Sequence, residues 1–375
     1  MGVNPEVLAL LDKPFTEIDG ERIQRATKLD YWNLNTWGQS YSRSLMLHRC
    51  PRKYQLATNY KLRTDRASTT FAYGHAIGAG LQAIFKKASC DRVVLAAIAA
   101  YDYPMERCED DKTIKDGKTV WNAIFMVRRL YELYTRGAFG YLDGWELAYF
   151  ADQTGQQVPA IELTFVVDLG PALVEGERRT YEGHIDLVLY NPATNRYMVV
   201  ELKTTSSTRI DKANYEKSNQ ALGYGVVLDQ IAGNIAATAS FDVLYLAVKS
   251  RDQEIVPFIF TKTHRDKAEW LNSIMDDTDL IDRYYSMEWW PMRGEACNDF
   301  FRACEYLDVC HYSHEELKAI EVSSKMDSLV FHQMEKPTYF FTIQDLLERQ
   351  EALAKYVQGN TTTDSGMILL QDTLR

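Results

Sequence analysis

Two apolar runs rich in β-forming residues lie on either side of a turn-rich segment near the middle of the chain. The runs are residues 183–189 and 198–203, and the segment 191–196 between them carries two asparagines and a proline. Apolar runs separated by turn residues predict a β-hairpin.

This hairpin is expected to bring charged side chains together. If its loop is symmetric, Leu187 faces Val200 and Asp186 faces Glu201, with β-carbons about 5 Å apart. Because side chains alternate along a strand, Lys203 shares the face of Glu201. Facing carboxylates repel each other, and a bound cation is the usual reason to keep them. The pattern therefore predicts a divalent-cation site suited to phosphodiester chemistry; a solvated Glu-x-Lys surface pair is the alternative.

The periodicities on either side of the hairpin predict a mixed α/β fold. Helical patterns cover residues 42–61 (interrupted by Pro51), 74–87, 122–135, 212–231 and 264–285, strand patterns cover 161–167, 241–248 and 255–260, and 110–117 is expected to be a charged loop.

Length and composition are compatible with one large core that has extensions. The 375 residues are 46% hydrophobic, which is ample for a core. We predict a leader at 1–40, the α/β core at 41–312, and a helical extension with a loose tail at 313–375.

The charge balance limits how the chain could bind nucleic acid. With 42 basic and 52 acidic residues the net charge is −10, so a nucleic-acid-binding protein of this composition needs a local basic groove. Residues 43–66 carry seven Lys or Arg and one Asp, with interleaved tyrosines. Arg49, Arg52, Lys53 and Tyr54 are therefore predicted to contact single-stranded DNA; a solvated helix face is the alternative.

No targeting or membrane segment is predicted. Residues 1–19 lack the apolar core of a signal peptide, and no run reaches the roughly 18 apolar residues of a membrane span. We expect a cytoplasmic protein, in which the six cysteines are better suited to metal ligation than to disulfides.

The hairpin resembles the signature of the PD-(D/E)xK nucleases, in which an aspartate precedes Glu-x-Lys on the next strand. Here Asp186 precedes Glu201-Leu202-Lys203. The usual proline before the aspartate is replaced by Ile185, but RecB-type members commonly have Gly-x-x-Asp, as at 183–186. The resemblance implies a restriction-endonuclease-like core with a central mixed sheet flanked by helices.

Two further motifs of the RecB-like family occur in the family's order. His75 follows a glycine at the expected start of a helix, and Gln220 and Tyr224 form a Gln-x-x-x-Tyr motif on the helix after the hairpin. By resemblance, His75, Asp186, Glu201 and the Leu202 carbonyl hold Mg²⁺ or Mn²⁺, Lys203 orients a water or stabilises charge, and Gln220 and Tyr224 contact the active site or the DNA backbone. Without the family, His75 is an ordinary polar residue at a helix start, and Gln220 with Tyr224 is an unremarkable pair on one helix face.

Four cysteines are split around the core. Cys50 lies near its start and Cys297, Cys304 and Cys310 near its end. They resemble the iron–sulfur staple of AddB and of phage and CRISPR-associated RecB-like exonucleases, which implies a [4Fe–4S] cluster that clasps the core. Buried free cysteines or a four-cysteine zinc protein with an incidental Glu-x-Lys are the alternatives, although the close pairs usual for zinc are absent. Cys90 and Cys108 are predicted to be structural.

Together these resemblances imply a Mg²⁺- or Mn²⁺-dependent DNA exonuclease of recombination, repair or end processing in a bacterium or a phage-infected cell. Its expected partners are DNA ends or single strands, with a helicase or a single-strand annealing protein. The alternative of another class is a non-catalytic DNA-binding scaffold subunit. The intact Asp186, Glu201 and Lys203 argue against that alternative, because a decayed site usually loses one of them.

Overall fold

A mixed β-sheet runs through the molecule, and helices cover both of its faces. The computed structural model describes residues 16–18, 21–23, 36–60, 69–101, 111–152, 154–173, 178–299, 302–323 and 339–361. The predicted fold class, a mixed α/β core with a central mixed sheet, is confirmed.

The helices of these residues begin at recognisable caps. Ser40, Ser89 and Thr119 each accept a hydrogen bond from the backbone N–H three residues further on. The helices are α1 (Tyr41–Arg49), α2 (Pro51–Thr58), α3 (Thr69–Phe85), α4 (Cys90–Ala100), α5 (Asp111–Asp116), α6 (Val120–Thr135), α7 (Lys212–Glu216), α8 (Asn219–Ala232), α9 (Ile235–Thr238), α10 (His264–Ser286), α11 (His314–Ser323) and α12 (Ile343–Thr361).

Most of the strands belong to the central sheet. The strands are β1 (Thr16–Ile18), β2 (Glu21–Ile23), β3 (Thr36–Gln39), β4 (Glu146–Leu147), β5 (Tyr149–Ala151), β6 (Gln157–Pro159), β7 (Ile161–Pro171), β8 (Arg178–Asn191), β9 (Arg196–Thr205), β10 (Ser240–Lys249), β11 (Glu254–Thr263), β12 (Asn298–Asp299), β13 (Arg302–Ala303) and β14 (Tyr339–Thr342). The sheet order is β11-β10-β9-β8-β7-β14, and β3 and β4 also pair with β8. β9 and β10 are parallel whereas β7, β8 and β9 are antiparallel neighbours, so the sheet is mixed.

Each face of the sheet packs against its own helical layer. Val200 and Leu244 pack with apolar residues of α3, α4 and α6. Val199 and Val243, one residue earlier on the same strands, pack with residues of α8, α10 and α12 on the other face. Strand β10 is buried on both faces at all of its interior positions, which explains its nearly continuous apolar sequence.

Three predicted elements differ from the structure. Helix α3 begins at Thr69, ahead of the predicted start at 74, and 212–231 is divided into α7 and α8 because Ser218 is extended. The loop predicted at 110–117 is wrong, since α5 occupies most of it. Gly117 ends α5 at φ +64°, and a Cβ there would lie 2.5 Å from the Ser250 carbonyl oxygen, so this stop requires glycine.

Parts of both predicted extensions join the central sheet. β3, from the predicted leader, pairs with β8, and β14, from the predicted C-terminal extension, pairs with β7. The rest of the leader apart from β1 and β2, the basic residues at 61–66, Cys108 and most of the predicted tail lie outside the described residues.

No helix in the described parts of the chain combines the length and apolar character needed to span a membrane.

A buried ion pair ties together the helices of one layer. Lys267 on α10 donates to Asp229 on α8 at 2.7 Å, and neither side chain is exposed. Lys267 also donates to the Thr238 carbonyl, and Gln350 on α12 donates to Asp229, both at 2.7 Å. Removing one member of such a pair leaves the other charge buried without compensation.

We therefore expect Lys267→Met to lower the free energy of unfolding by about 3 to 5 kcal/mol, measured by urea denaturation at neutral pH. The matched control is Lys86→Met at an exposed lysine, which should change it by no more than about 0.5 kcal/mol. Equal stability of the two variants would show that the pair does not hold these helices together.

Candidate active site

The site lies where β8 and β9 separate. Their ladder runs from the turn to the Leu187–Val200 pair and ends there, which confirms the predicted register as far as that pair. The predicted direct pairing of Asp186 with Glu201 is not part of the ladder. Instead, Asp186 Oδ2 accepts the Leu202 backbone N–H at 3.3 Å, so the aspartate side chain occupies the opening between the strands.

A chain of hydrogen bonds connects β9 to α8. Lys203 Nζ donates to Glu201 Oε1 at 2.5 Å and to Gln220 Oε1 at 2.7 Å. Gln220 in turn donates through Nε2 to the Tyr224 hydroxyl at 2.7 Å. The predicted shared face of Glu201 and Lys203 is confirmed, and four of the predicted site residues lie in one network.

The opening leads into a cavity of about 400 Å³ between α3 and the sheet. His75, Glu162, Asp186 and Leu202 are among its lining residues. His75 was predicted to lie at the start of its helix. It lies instead within α3, which begins at Thr69. The structure thus brings His75 to the same cavity as Asp186.

Two glycines of α3 lie next to β9 at this cavity. A Cβ added at Gly74 would lie 3.5 Å from Thr204 Oγ1, and one at Gly78 would lie 3.8 Å from Leu202 Cδ2. Both distances are ordinary contact, so a larger side chain would fill the space beside His75.

Burial and mutual repulsion shift the titration of the carboxylates. Burial, together with the neighbouring Asp186, raises the pKa of Glu201 to about 8, and Lys203 opposes this. Burial also raises the pKa of Asp186, again opposed by Lys203. Burial would lower the pKa of Lys203, but Glu201 and Asp186 outweigh it and the pKa is raised, which keeps the ammonium charged.

The donor set is suited to a hard divalent cation. Glu201 is only 2% exposed, and within the described part of the chain its Oε2 has no hydrogen-bond partner. A buried carboxylate oxygen without a partner is costly, and a cation bound there would compensate it. Among the described residues, no group of three or more His, Cys, Asp or Glu side chains is arranged to hold a metal. The predicted ligand set therefore stays a prediction.

The four predicted cluster cysteines lie in one region. The Cys304 N–H donates to the Cys297 carbonyl at 2.8 Å, and Arg52 Nε donates to the Cys310 carbonyl at 2.8 Å. Burial and the nearby Cys50, Cys297 and Cys304 raise the pKa of the Cys310 thiol. All of the cysteines that the structure describes are free thiols, and the predicted iron–sulfur clasp is not shown.

Three of the four residues predicted to contact DNA, Arg52, Lys53 and Tyr54, make contacts within the protein. Tyr54 is fully buried and stacks on Trp290 at 5.9 Å between ring centroids, so its predicted stacking on DNA is wrong. Arg52 donates to the Cys310 and Tyr312 carbonyls at 2.8 and 2.5 Å. The sequence contained a signal for this, because Leu47, Cys50 and Tyr54 follow the spacing of a buried helical stripe.

Lys53 is also engaged within the protein, at 3.3 Å from Glu305. Arg49 is exposed on α1, and its DNA contact stays a prediction.

Glu162 was not among the predicted site residues, but it lines the cavity beside Asp186. Its signal was the apolar alternation of 161–167, in which Glu162 is an acidic residue on a strand next to the hairpin.

Comparison with known proteins gives a family match over most of the chain. The sequence model of the PD-(D/E)XK nuclease superfamily matches residues 39–311. A provisionally assigned exonuclease from Eubacterium rectale is 14% identical with a TM-score of 0.40, covering 77% of this chain and 94% of its own. The protein SSO0001 is 13% identical with a TM-score of 0.26, covering 74% and 87%. Neither structural likeness is strong enough to carry an argument, and no curated protein matches the sequence.

The raised pKa of Glu201 predicts a pH-dependent stability of the metal-free protein. The folded state retains the Glu201 proton up to about pH 8, whereas an ordinary glutamic acid loses it near 4.5. The folded state therefore binds more protons in this window, and its stability falls as the pH rises. Since glutamine does not titrate, the free energy of unfolding of Glu201→Gln minus that of wild type should increase by up to about 1.4 kcal/mol per pH unit across this window.

Urea unfolding in the presence of a chelator, repeated across this pH window, measures the effect. Glu146→Gln, at an exposed glutamate, is the control and should follow the wild-type profile. A constant difference between Glu201→Gln and wild type would contradict the raised pKa.

Proposed function

This chain belongs to the PD-(D/E)XK nuclease superfamily, and on that premise we propose that it is a divalent-cation-dependent DNA exonuclease of the RecB-like type. Membership in the superfamily already implies hydrolysis of phosphodiester bonds, with DNA as the substrate. The observation that carries the finer proposal is the Lys203–Glu201 pair beside Asp186, at the point where two strands of the sheet separate.

In this proposal the cation is held by His75, Asp186, Glu201 and the Leu202 carbonyl. Oxygen donors from carboxylates and a backbone carbonyl suit Mg²⁺ or Mn²⁺. When bound, such an ion polarises the scissile phosphate and lowers the pKa of water.

In this proposal Lys203 stabilises the negative charge that develops on the phosphate during hydrolysis. Its raised pKa keeps it cationic at neutral pH, and a fixed positive charge at the reacting group stabilises the transition state. Gln220 accepts a hydrogen bond from Lys203 and is itself bonded to Tyr224. These two α8 residues therefore hold the Lys203 ammonium in position, so that less conformational freedom has to be lost when the reaction occurs.

The cellular setting we propose is DNA recombination, repair or end processing in the cytoplasm, with a helicase or a single-strand annealing protein as partner. This part of the proposal rests on the resemblance to RecB-like enzymes.

Asp186→Ala and Lys203→Ala are each expected to lower cleavage of labelled DNA by at least about 100-fold, because the first removes a ligand of the cation and the second removes the positive charge at the reacting phosphate. Timed digestion of 5′- and 3′-labelled linear DNA with Mg²⁺ or Mn²⁺ measures both the rate and the polarity. Circular dichroism and DNA binding by the variants should remain close to wild type.

The matched controls are Asp143→Ala and Lys86→Ala, at exposed residues of the same types, and both should digest DNA normally. Undiminished digestion by both site variants would refute the assignment. Rapid cutting of covalently closed circular DNA would refute the exonuclease activity in particular, and binding without cleavage by the wild type would favour a scaffold role.

We further propose that Cys50, Cys297, Cys304 and Cys310 ligate a [4Fe–4S] cluster. The hydrogen bonds from the Cys304 N–H to the Cys297 carbonyl and from Arg52, two residues after Cys50, to the Cys310 carbonyl support this, and thiolates are the usual ligands of such clusters. The cluster would join α2 to the segment after α10, a connection already supported by packing of Tyr54 against Trp290 and Tyr284. Closing so long a loop stabilises the folded state, so its role would be structural.

Protein purified without oxygen should be brown and contain iron, and Cys310→Ala should lose the iron and unfold at a lower temperature, because metal-linked regions depend on their metal for folding. Cys90→Ala is the control, since Cys90 lies at the start of α4 and outside the set, and it should keep both properties. Colourless protein that contains only zinc would contradict the cluster. Iron content by elemental analysis and thermal unfolding provide the measurements.

A further inference from the structure

A third carboxylate faces Asp186 from the neighbouring strand. The β7–β8 ladder pairs Ile161 with Leu187 and Leu163 with Ile185, and Glu162 and Asp186 lie at the matching positions between these pairs without forming a ladder pair themselves. Like charges on neighbouring strands repel each other. The sheet therefore brings a third acidic residue to the site at an electrostatic cost.

The backbone at Glu162 is in an unusual conformation for its residue type. Its φ is +50°, in the left-handed region that side-chain-bearing residues seldom adopt, least of all within a strand. Residues two apart on a regular strand share a face. Here Ile161 packs with the α3, α4 and α6 layer, whereas Leu163 packs with the layer on the opposite face.

Strand β8 changes face at the matching position. Leu187 belongs to the first layer and Ile185 to the second, so Asp186 and Glu162 both occupy the points at which their strands turn over. Unfavourable conformations of this kind persist where function requires a particular side-chain direction. The direction obtained here leads Glu162 to the cavity that His75 and Asp186 also line.

Helix α3 orients the Glu162 carboxylate. Gln82 Nε2 donates to Glu162 Oε1 at 2.6 Å. Gln82 follows His75 by two helical turns and lines the same cavity. A carboxylate has lone pairs for several partners, so this bond fixes the direction of the group without using up its capacity to bind a cation.

The charges around the opening between the strands fit one divalent cation. Glu162, Asp186 and Glu201 contribute three formal negative charges and Lys203 one positive charge, which leaves two negative charges. A single doubly charged ion would neutralise the set and supply a partner for the buried Glu201 Oε2.

We propose that Glu162 is a further ligand of the divalent cation at this site, contributed by β7 and oriented by Gln82. This inference rests on the proposed function, because it assigns a residue to the same metal centre. It also explains why an acidic residue occupies a strained position opposite another acid.

Manganese binding by the full chain tests the proposal without relying on catalysis. Glu162→Gln keeps the shape of the side chain and an oxygen that can accept from Gln82, but it removes the negative charge. We expect the dissociation constant for Mn²⁺, from calorimetry or from the spin-resonance signal of free Mn²⁺, to rise by about 10- to 100-fold. Glu146→Gln, at an exposed glutamate on β4, should bind as wild type does.

A second variant separates metal binding from folding. Glycine adopts the left-handed conformation without strain, so Glu162→Gly should have a thermal midpoint no lower than that of wild type while binding Mn²⁺ more weakly. A purely structural role would instead lower the midpoint and leave the affinity of the folded protein unchanged. An unchanged Mn²⁺ affinity in Glu162→Gln and Glu162→Gly overturns the proposal.

Measurements on the wild-type protein distinguish a failure of the proposed function from a failure of the role of Glu162 alone. If wild type neither binds Mn²⁺ nor cleaves DNA with it, the proposed function fails. If wild type binds and cleaves, and Glu162→Gln does so equally well, only the role of Glu162 fails.

Discussion

The separation of β8 from β9 beyond the Leu187–Val200 pair is the constraint on which the site depends. Each strand keeps its other neighbour, β7 or β10, past that point, so the sheet opens locally without coming apart. The opening leaves the Leu202 N–H without a β8 carbonyl, and a buried N–H must find an acceptor. Asp186 supplies it, and the position of a functional carboxylate is thereby tied to the hydrogen bonding of the sheet itself.

Because side chains alternate along β9, successive residues of the site contact opposite faces of the sheet. Leu202 points towards α3 and the cavity that holds His75, whereas Glu201 and Lys203 point towards α8, where Gln220 accepts from the ammonium. A Glu-x-Lys sequence is therefore a way of placing a carboxylate and an ammonium on one face while the residue between them packs against the opposite layer.

The sequence predicted what short-range patterns determine. The hairpin register, the shared face of Glu201 and Lys203, and the Gln220–Tyr224 pair follow from strand and helix periods alone. The end of the β8–β9 ladder did not follow, because it depends on competition between neighbouring strands that are distant in sequence. Tyr54 was misassigned for a similar reason: the residue that covers it, Trp290, lies more than two hundred positions away. The acidic residue within the apolar strand pattern of 161–167 was visible in the sequence, but the role proposed for Glu162 was not, because it depends on a backbone dihedral angle that periodicity does not encode.

The packing of α1 and α2 against the segment after α10 has a consequence for how the chain is synthesised. The β8–β9 hairpin is complete once β9 has left the ribosome, but Leu47 and Tyr54 pack with Ile281, Tyr284 and Trp290, and Leu56 packs with Tyr306 and Leu317. During translation the apolar side chains of α1 and α2 therefore stay uncovered until almost the whole core has emerged. Contacts of such long sequence separation slow folding, and apolar surface that stays uncovered in the meantime is prone to aggregation.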